Sequence, residues 1–180
     1  RRDIVDQGKA PEAALKIRAD VLKTGNPFGL PSGDRFGFLK GSAYIRNKAG
    51  VLYYVGCDTA YKQPEIARAM VSILERAGVD FGLLAGETST GKPLTVLGFT
   101  QDARQVAEAL ASRIRGTECK VLVTACPSSY DALRNDYSGL LDGIEVLHAT
   151  EYVARLLDQG KLKPKRPVDR TVTPQDSDYL

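Results

Sequence analysis

Cysteine and histidine are scarce in this sequence, and their scarcity argues against several kinds of protein. The 180 residues include three cysteines, Cys57, Cys119 and Cys126, and a single histidine, His148. An odd and small number of cysteines argues against a disulfide framework and favours a reducing compartment. We therefore expect a cytoplasmic protein that reaches a membrane only through a partner protein.

Long apolar runs and a strong net charge are lacking as well. No run approaches the roughly 18 to 20 apolar residues that a membrane span needs, and the net charge is only +3. No aromatic residues interleave with a basic face, as binders of single-stranded nucleic acid require. These absences predict no direct membrane span and no nucleic-acid partner.

The remaining composition, 43% hydrophobic and 26% charged, is that of an ordinary globular protein. A chain of this length buries about two-thirds of its unfolded surface when it folds, so one domain with a true core is expected. The first residues, Arg1 and Arg2, are not followed by a charged-then-apolar leader. We interpret the chain as a segment of a longer protein.

Four apolar segments alternate with helix-like segments from Val51 onward. The segments read "VLYYVG", "VDFGLLA", "KVLVTA" and "GIEVLHA". This alternation predicts an α/β fold with three layers, in which a mainly parallel four-stranded sheet carries helices on both faces. A helix over residues 11–24 and an irregular stretch over 33–50 form a helical connector in front of it.

The loops that follow these strands are predicted to meet at one edge of the sheet, because parallel strands joined by right-handed crossovers end on the same side. Cys57, Cys126 and His148 lie on those loops, whereas Cys119 precedes the third strand and is predicted to be structural. Buried packing is the ordinary role of such cysteines. The functional alternative is a thiolate pair for metal or redox chemistry, which His148 could complete.

The loop "GETSTGKP" resembles a phosphate-binding P-loop, since Gly86 is followed after four residues by Gly91 and Lys92. Pro93, however, stands where the magnesium-binding hydroxyl should be. The following "KPLTVLGF" also does not favour a helix. We therefore do not predict a nucleotide site.

Taken together, "VLYYVGCDTAY", "AGVDFGLLAGETSTGKPLTVLG", "VLVTACPSSYDALRNDY" and "IEVLHATEYVARLL" resemble the cysteine-rich CCG domain. This domain occurs in proteins like the D-type component of heterodisulfide reductase and in related iron–sulfur oxidoreductases, such as the glycolate oxidase iron–sulfur protein. The resemblance implies a connector at residues 1–50 and a CCG-like α/β domain at 51–162. It further implies that residues 163–180 are a linker and the start of a second CCG-like unit.

The resemblance also implies a set of ligands for a 4Fe–4S cluster. The family motif has a cysteine after the first strand, Cys-Cys-Gly after the second and Cys-Pro-x-Cys after the third. Here the first cysteine is Cys57 and the first of the last motif is Cys126, while Asp178 stands at the opening cysteine of the second unit. The remaining motif positions are occupied by Ser89, Thr90, Gly91 and Ser129.

Hydroxyl groups do not replace soft thiolates around a cluster, so we expect this chain to bind neither a cluster nor another metal by itself. The leading interpretation is a degenerate CCG domain that acts as scaffold and docking surface in an electron-transfer complex. Its partners would include a ferredoxin-like 4Fe–4S domain and a second CCG domain. The chain alone is not expected to be catalytic.

Two alternatives stay open at this point. In the first, Cys57 and Cys126, with His148 and Glu87, hold another metal or a cluster that a partner completes. In the second, Ser89, Thr90, Lys92 and Ser129 bind a small anion or a quinone at the sheet edge.

Overall fold

The structure is a computed structural model that describes residues 1–39, 41, 43–167 and 169–173. The last part of the predicted second unit, with Asp178, lies outside the described residues.

The described strands form one four-stranded sheet in the order β2-β1-β3-β4, and every pair in it is parallel. The predicted α/β fold with a parallel sheet is therefore confirmed. Each strand is short and almost wholly buried, because helices cover both faces and favour continuous apolar runs. The strands are β1 Val51–Tyr54, β2 Phe81–Leu83, β3 Val121–Thr124 and β4 Glu145–His148.

Helices enclose the sheet in the order that the alternating pattern predicts. In chain order they are α1 Arg2–Asp6, α2 Glu12–Thr24, α3 Cys57–Tyr61, α4 Pro64–Arg76, α5 Lys92–Leu97, α6 Thr100–Arg115, α7 Pro127–Asp131 and α8 Ala149–Asp158. A 3₁₀-helix spans Ser32–Phe36, and a π-helical turn spans Ala132–Asp136.

The two faces of the sheet have separate cores. Alternate strand residues such as Tyr53 pack against α4 and α8 on one face. The neighbouring residues, such as Leu52 and Tyr54, pack against α6 and the π-helical turn on the other. This alternation follows from the two-residue period of a strand and accounts for the three layers.

The connector packs onto the α/β unit through its long helix. Ala14 and Val21 of α2 lie in one apolar cluster with Leu94 of α5 and with Phe99 and Ala103 at the start of α6. Outside this cluster, Arg18 of α2 pairs with Asp102 of α6 at 2.6 Å. The connector therefore rests on the two elements that follow the loop 86–91.

The prediction that "KPLTVLGF" contains no helix is wrong, since Lys92–Leu97 form α5. Gly91 precedes the helix with φ of 80°, a conformation that favours glycine. Pro93 lies in the first turn, where its missing N–H has no helical partner to lose. The fully buried Leu94 supplies the tertiary packing that outweighs the low helix propensity of this segment.

Candidate functional site

Cys57 and Cys126 lie together at the carboxyl edge of the sheet. Cys57 begins α3 just after β1, and Cys126 precedes α7 just after β3. Gly56 separates them with φ of 81°: a Cβ built on it would lie 2.9 Å from Cβ of Cys126 and 3.2 Å from Oγ of Ser129. The loop geometry thus brings three of the predicted site residues around one glycine.

A buried ion pair closes the space beside these thiols. Nη1 of Arg35 lies 2.7 Å from Oε1 of Glu87, and both side chains are almost inaccessible to solvent. Glu87 also accepts hydrogen bonds from the backbone N–H of Val55 at 2.9 Å and of Gly56 at 3.0 Å. The carboxylate therefore binds the chain where β1 ends and the Cys57 loop begins.

Arg35 makes the direct contact with Cys57. Its Nη2 donates to Sγ of Cys57 at 3.2 Å and to the carbonyl oxygen of Gly25 at 3.1 Å. The guanidinium also lies 5.4 Å from the centre of the Tyr61 ring, a cation–π distance. Sequence reasoning missed Arg35, which comes from the connector and lies 52 positions before Glu87.

The charges of this site influence one another. Burial raises the pKa of the Cys57 thiol, although the neighbouring Arg35 opposes that shift. Burial also opposes the charge of Arg35, but the carboxylate of Glu87 outweighs it and raises the pKa of the guanidinium. Arg35 and Glu87 are therefore a charged pair at neutral pH, beside a thiol that keeps its proton.

The loop after β2 uses its hydroxyl groups to hold its own shape. Oγ of Ser89 accepts a hydrogen bond from the N–H of Gly91 at 3.2 Å, and Oγ1 of Thr90 accepts one from the N–H of Lys92 at 3.4 Å. The N–H of Ser89 donates to the carbonyl oxygen of Gly25 at 2.6 Å. Ser89 and Thr90 are buried, so their hydroxyls act as structural groups at the start of α5.

Lys92 is bound by two carboxylates of the neighbouring segment. Its Nζ pairs with Asp131 at the end of α7, and it lies 2.9 Å from Oδ2 of Asp136 in the π-helical turn. These two negative charges neutralise the ammonium where the anion-site alternative requires a free cation.

His148 lies at the end of β4 and is the N-cap of α8. Its Nδ1 is 2.9 Å from Oγ1 of Thr150, and its N–H donates to the Glu151 carboxylate at 2.7 Å. The ring packs edge-on against Tyr130 at 5.7 Å. Its hydrogen bonds thus stay within its own loop and the first turn of α8.

Cys119 lies apart from the other two thiols. It precedes β3, at the amino end of the sheet, and is buried in the core that α6 covers. Its N–H donates to Oγ1 of Thr117 at 3.4 Å. These contacts are those of a packing residue.

The site does not have the donor set of a 4Fe–4S cluster. Such clusters are held by four thiolates, whereas this edge has two thiols, three hydroxyl side chains and a guanidinium bound to one of the thiols. In the part of the chain that the structure describes, no group of three or more His, Cys, Asp or Glu side chains is placed to hold a metal ion. The residues present therefore do not fit the group that the resemblance implies.

Comparison with known proteins identifies the region that carries this site. Residues 51–134 match a family model described as the cysteine-rich domain CCG. The predicted resemblance to the CCG domain is confirmed. The match includes Cys57, Glu87 and Cys126.

Relatives of this CCG region are oxidoreductases or components of them. The EtfAB:quinone oxidoreductase of Syntrophomonas wolfei is 31% identical over the whole of this chain. The D-type component of the dihydromethanophenazine:CoB–CoM heterodisulfide reductase of Methanosarcina mazei is 30% identical, also over the whole chain. A Bacillus subtilis protein named "Probable iron-sulfur-binding oxidoreductase FadF" is 28% identical over 98% of the chain.

The chain spans only part of these relatives: 27% of the first and third and 46% of the second. No solved structure matches it. No helix in residues 1–39, 41, 43–167 and 169–173 combines the length and the apolar character that crossing a membrane requires.

Proposed function

We propose that this chain is a degenerate CCG region of an iron–sulfur oxidoreductase, which binds no cluster of its own and acts as scaffold and docking surface. The observation that carries the proposal is the Arg35–Glu87 pair beside Cys57. A guanidinium and a carboxylate organise the two strand ends where ligating thiolates would otherwise converge. The hydroxyls of Ser89 and Thr90 complete this arrangement with backbone hydrogen bonds.

The fold itself does not depend on a metal. Apolar residues of all four strands fill the cores on both faces of the sheet, and the connector adds a third cluster. Burial of this apolar surface supplies the main stabilisation of a domain of this size. A CCG region can therefore lose cluster ligands and keep a rigid surface for its partners.

The clusters that carry electrons would then belong to other parts of the protein or of its complex. We propose a ferredoxin-like 4Fe–4S domain and a second CCG domain as the neighbours of this region. The names of the two relatives, a component of heterodisulfide reductase and an EtfAB:quinone oxidoreductase, support an electron-transfer complex.

The alternative sites are less well supported by the side-chain contacts. A metal site made of Cys57, Cys126, His148 and Glu87 would need carboxylate oxygens that Arg35 and two backbone N–H groups already bind. The anion or quinone site would need a free Lys92, whose ammonium pairs with two aspartates. Docking requires neither change.

A gain-of-ligand variant tests the absence of a cluster. The triple variant Ser89→Cys/Thr90→Cys/Ser129→Cys restores the motif positions around Cys57 and Cys126. Both it and the unaltered chain are incubated with ferrous iron and sulfide without oxygen, desalted, and compared by visible absorption. We expect a stable charge-transfer band in the triple variant only. A band of equal intensity in the unaltered chain would contradict the proposal.

A further inference from the structure

The two thiols of the carboxyl edge belong to adjacent strands in a defined register. β1 and β3 pair from Val51 opposite Val121 to Tyr54 opposite Thr124. Continued by two residues, this register places Cys126 opposite Gly56, the immediate neighbour of Cys57. Adjacent strands are about 4.8 Å apart and rise about 3.3 Å per residue, so the Cα atoms of the two cysteines are about 6 Å apart.

Side-chain contacts agree with this register. A Cβ at Gly56 would lie 2.9 Å from Cβ and 3.4 Å from Sγ of Cys126. The side chain of Cys126 therefore leans across Gly56 toward the β1 end of the site. Disulfide-bonded cysteines usually have Cα atoms about 4.4–6.8 Å apart, which includes the separation expected here.

Both thiols are free, and a groove lies beside them. Neither Cys57 nor Cys126 is in a disulfide. A cavity of about 330 Å³ is lined in part by Asp58, which follows Cys57, and by Ser128, two residues after Cys126. Pro27 and Lys92 also line it. A small reagent in this groove would be next to both cysteine-bearing loops.

We propose that Cys57 and Cys126 form a redox-active dithiol, which a small-molecule disulfide of the glutathione type oxidises to an intramolecular disulfide. This goes beyond a scaffold, because it gives the CCG region a two-electron reaction without a metal. It rests on the proposed function in one respect, since the two thiols must be free of a cluster.

The reaction balances as two successive exchanges. One of the two cysteines, as its thiolate, attacks a sulfur of oxidised glutathione, forms a mixed disulfide and releases one glutathione thiolate. The second cysteine, as its thiolate, then attacks the protein sulfur of that mixed disulfide and releases the other glutathione thiolate. The two protons of the cysteines pass to the two thiolates released. The protein loses two electrons, and one reagent disulfide becomes two thiols.

Counting thiols in a glutathione redox buffer tests the proposal directly. The full chain is equilibrated with oxidised glutathione, quenched with acid, unfolded, and its free thiols are counted while peptide mapping locates any disulfide. We expect the three thiols of the reduced chain to fall to one, at Cys119, with a mass loss of two hydrogen atoms. Retention of all three thiols, or a disulfide that includes Cys119, would overturn the proposal.

Single substitutions provide matched controls. Cys119→Ser should fall from two thiols to none, because it leaves the proposed pair intact. Cys57→Ser and Cys126→Ser should form no internal disulfide, and each should retain a glutathione adduct on its remaining edge cysteine. An internal disulfide in either variant would contradict the assigned pair, as would a Cys119→Ser chain that keeps both thiols.

Iron analysis of the same sample separates the two proposals. An iron-free chain that keeps three thiols in the oxidising buffer overturns the dithiol and leaves the scaffold proposal intact. A chain that holds a cluster through Cys57 and Cys126 overturns both.

Discussion

The guanidinium of Arg35 and the carboxylate of Glu87 form an ion pair at 2.7 Å in which both side chains are buried, with 2% and 0% of their surface exposed. The pair joins the connector to the loop after β2 and contacts Cys57. Removal of one partner from a buried pair leaves an unpaired charge, whose cost is much larger than the net contribution of the pair itself.

This asymmetry predicts the behaviour of a double-mutant cycle. Arg35→Met and Glu87→Gln should each lower the free energy of unfolding by about 3–5 kcal/mol, while the double variant should lose clearly less than their sum. Urea denaturation of the four proteins measures the coupling. Arg104→Met, which breaks the exposed Arg104–Glu108 pair, should cost less than about 1 kcal/mol and serves as control. Additive losses at Arg35 and Glu87 would contradict the assigned pairing.

Gly56 should be the glycine least able to accept a side chain at the site. Its φ of 81° and ψ of 160° lie in a region used almost only by glycine, which costs other residues about 1–3 kcal/mol. An added Cβ would also lie 2.9 Å from Cβ of Cys126. Gly56→Ala should therefore lower the free energy of unfolding more than Gly139→Ala. Gly139 has φ of 76° but no atom within 4 Å of an added Cβ. Equal losses in chemical denaturation would show that the contact with Cys126 is absent.

Asn26 is predicted to stabilise the turn between α2 and the 3₁₀-helix that carries Arg35. Its side chain is fully buried, accepts hydrogen bonds from the N–H groups of Phe28 and Leu30, and donates to the carbonyl oxygen of Leu30 at 2.7 Å. Asn26→Ala would leave buried backbone groups unpaired, at about 1–3 kcal/mol for each unsatisfied group.

Chemical denaturation of Asn26→Ala checks this prediction. The exposed Asn135 bonds only to Asp131 in the contacts of the described residues, so Asn135→Ala should change stability by less than about 0.5 kcal/mol. A comparable effect of both substitutions would argue against a structural role of the turn.

The ion pair of Lys92 predicts a pH dependence of stability. Burial alone would raise the pKa of Asp131, but the hydrogen bond from Lys92 outweighs burial and lowers that pKa. A carboxyl whose pKa is depressed by folding stabilises the protein above its unfolded pKa, about 4, and loses this contribution as pH falls through the folded pKa.

The thermal midpoint of the unaltered chain should therefore exceed that of Asp131→Asn at pH 7, by a stability difference of up to about 1 kcal/mol. The difference should shrink steadily as the pH is lowered below about 4. Thermal unfolding followed by circular dichroism over this range measures it. A difference that stays constant with pH would mean that the Asp131 carboxylate does not contribute through its charge.

The sheet could be predicted from the sequence because its signals are local. Continuous apolar runs such as Val51–Tyr54 alternate with helical periodicity, and parallel order follows from that alternation. The meeting of Cys57 and Cys126 at one edge followed from the same rule. Lys92–Leu97 escaped prediction because tertiary packing of Leu94 outweighs weak local propensity.

The ion pair could not be predicted because it depends on a long-range contact. Arg35 lies in a stretch without periodicity, where an arginine is ordinarily solvated, and its partner is far along the chain. Only the folded connector shows that the charge is buried. Glu87 was weighed as a ligand for the same reason, since nothing in the sequence indicates that Arg35 and two N–H groups occupy its oxygens.

Iron and acid-labile sulfide per chain, measured on protein purified without oxygen, test the central claim most directly. The absence of a cluster at the Arg35–Cys57 site predicts far less than one iron atom per chain, with no visible charge-transfer band. Four iron atoms and matching sulfide per chain, the content of a full 4Fe–4S cluster, would contradict it.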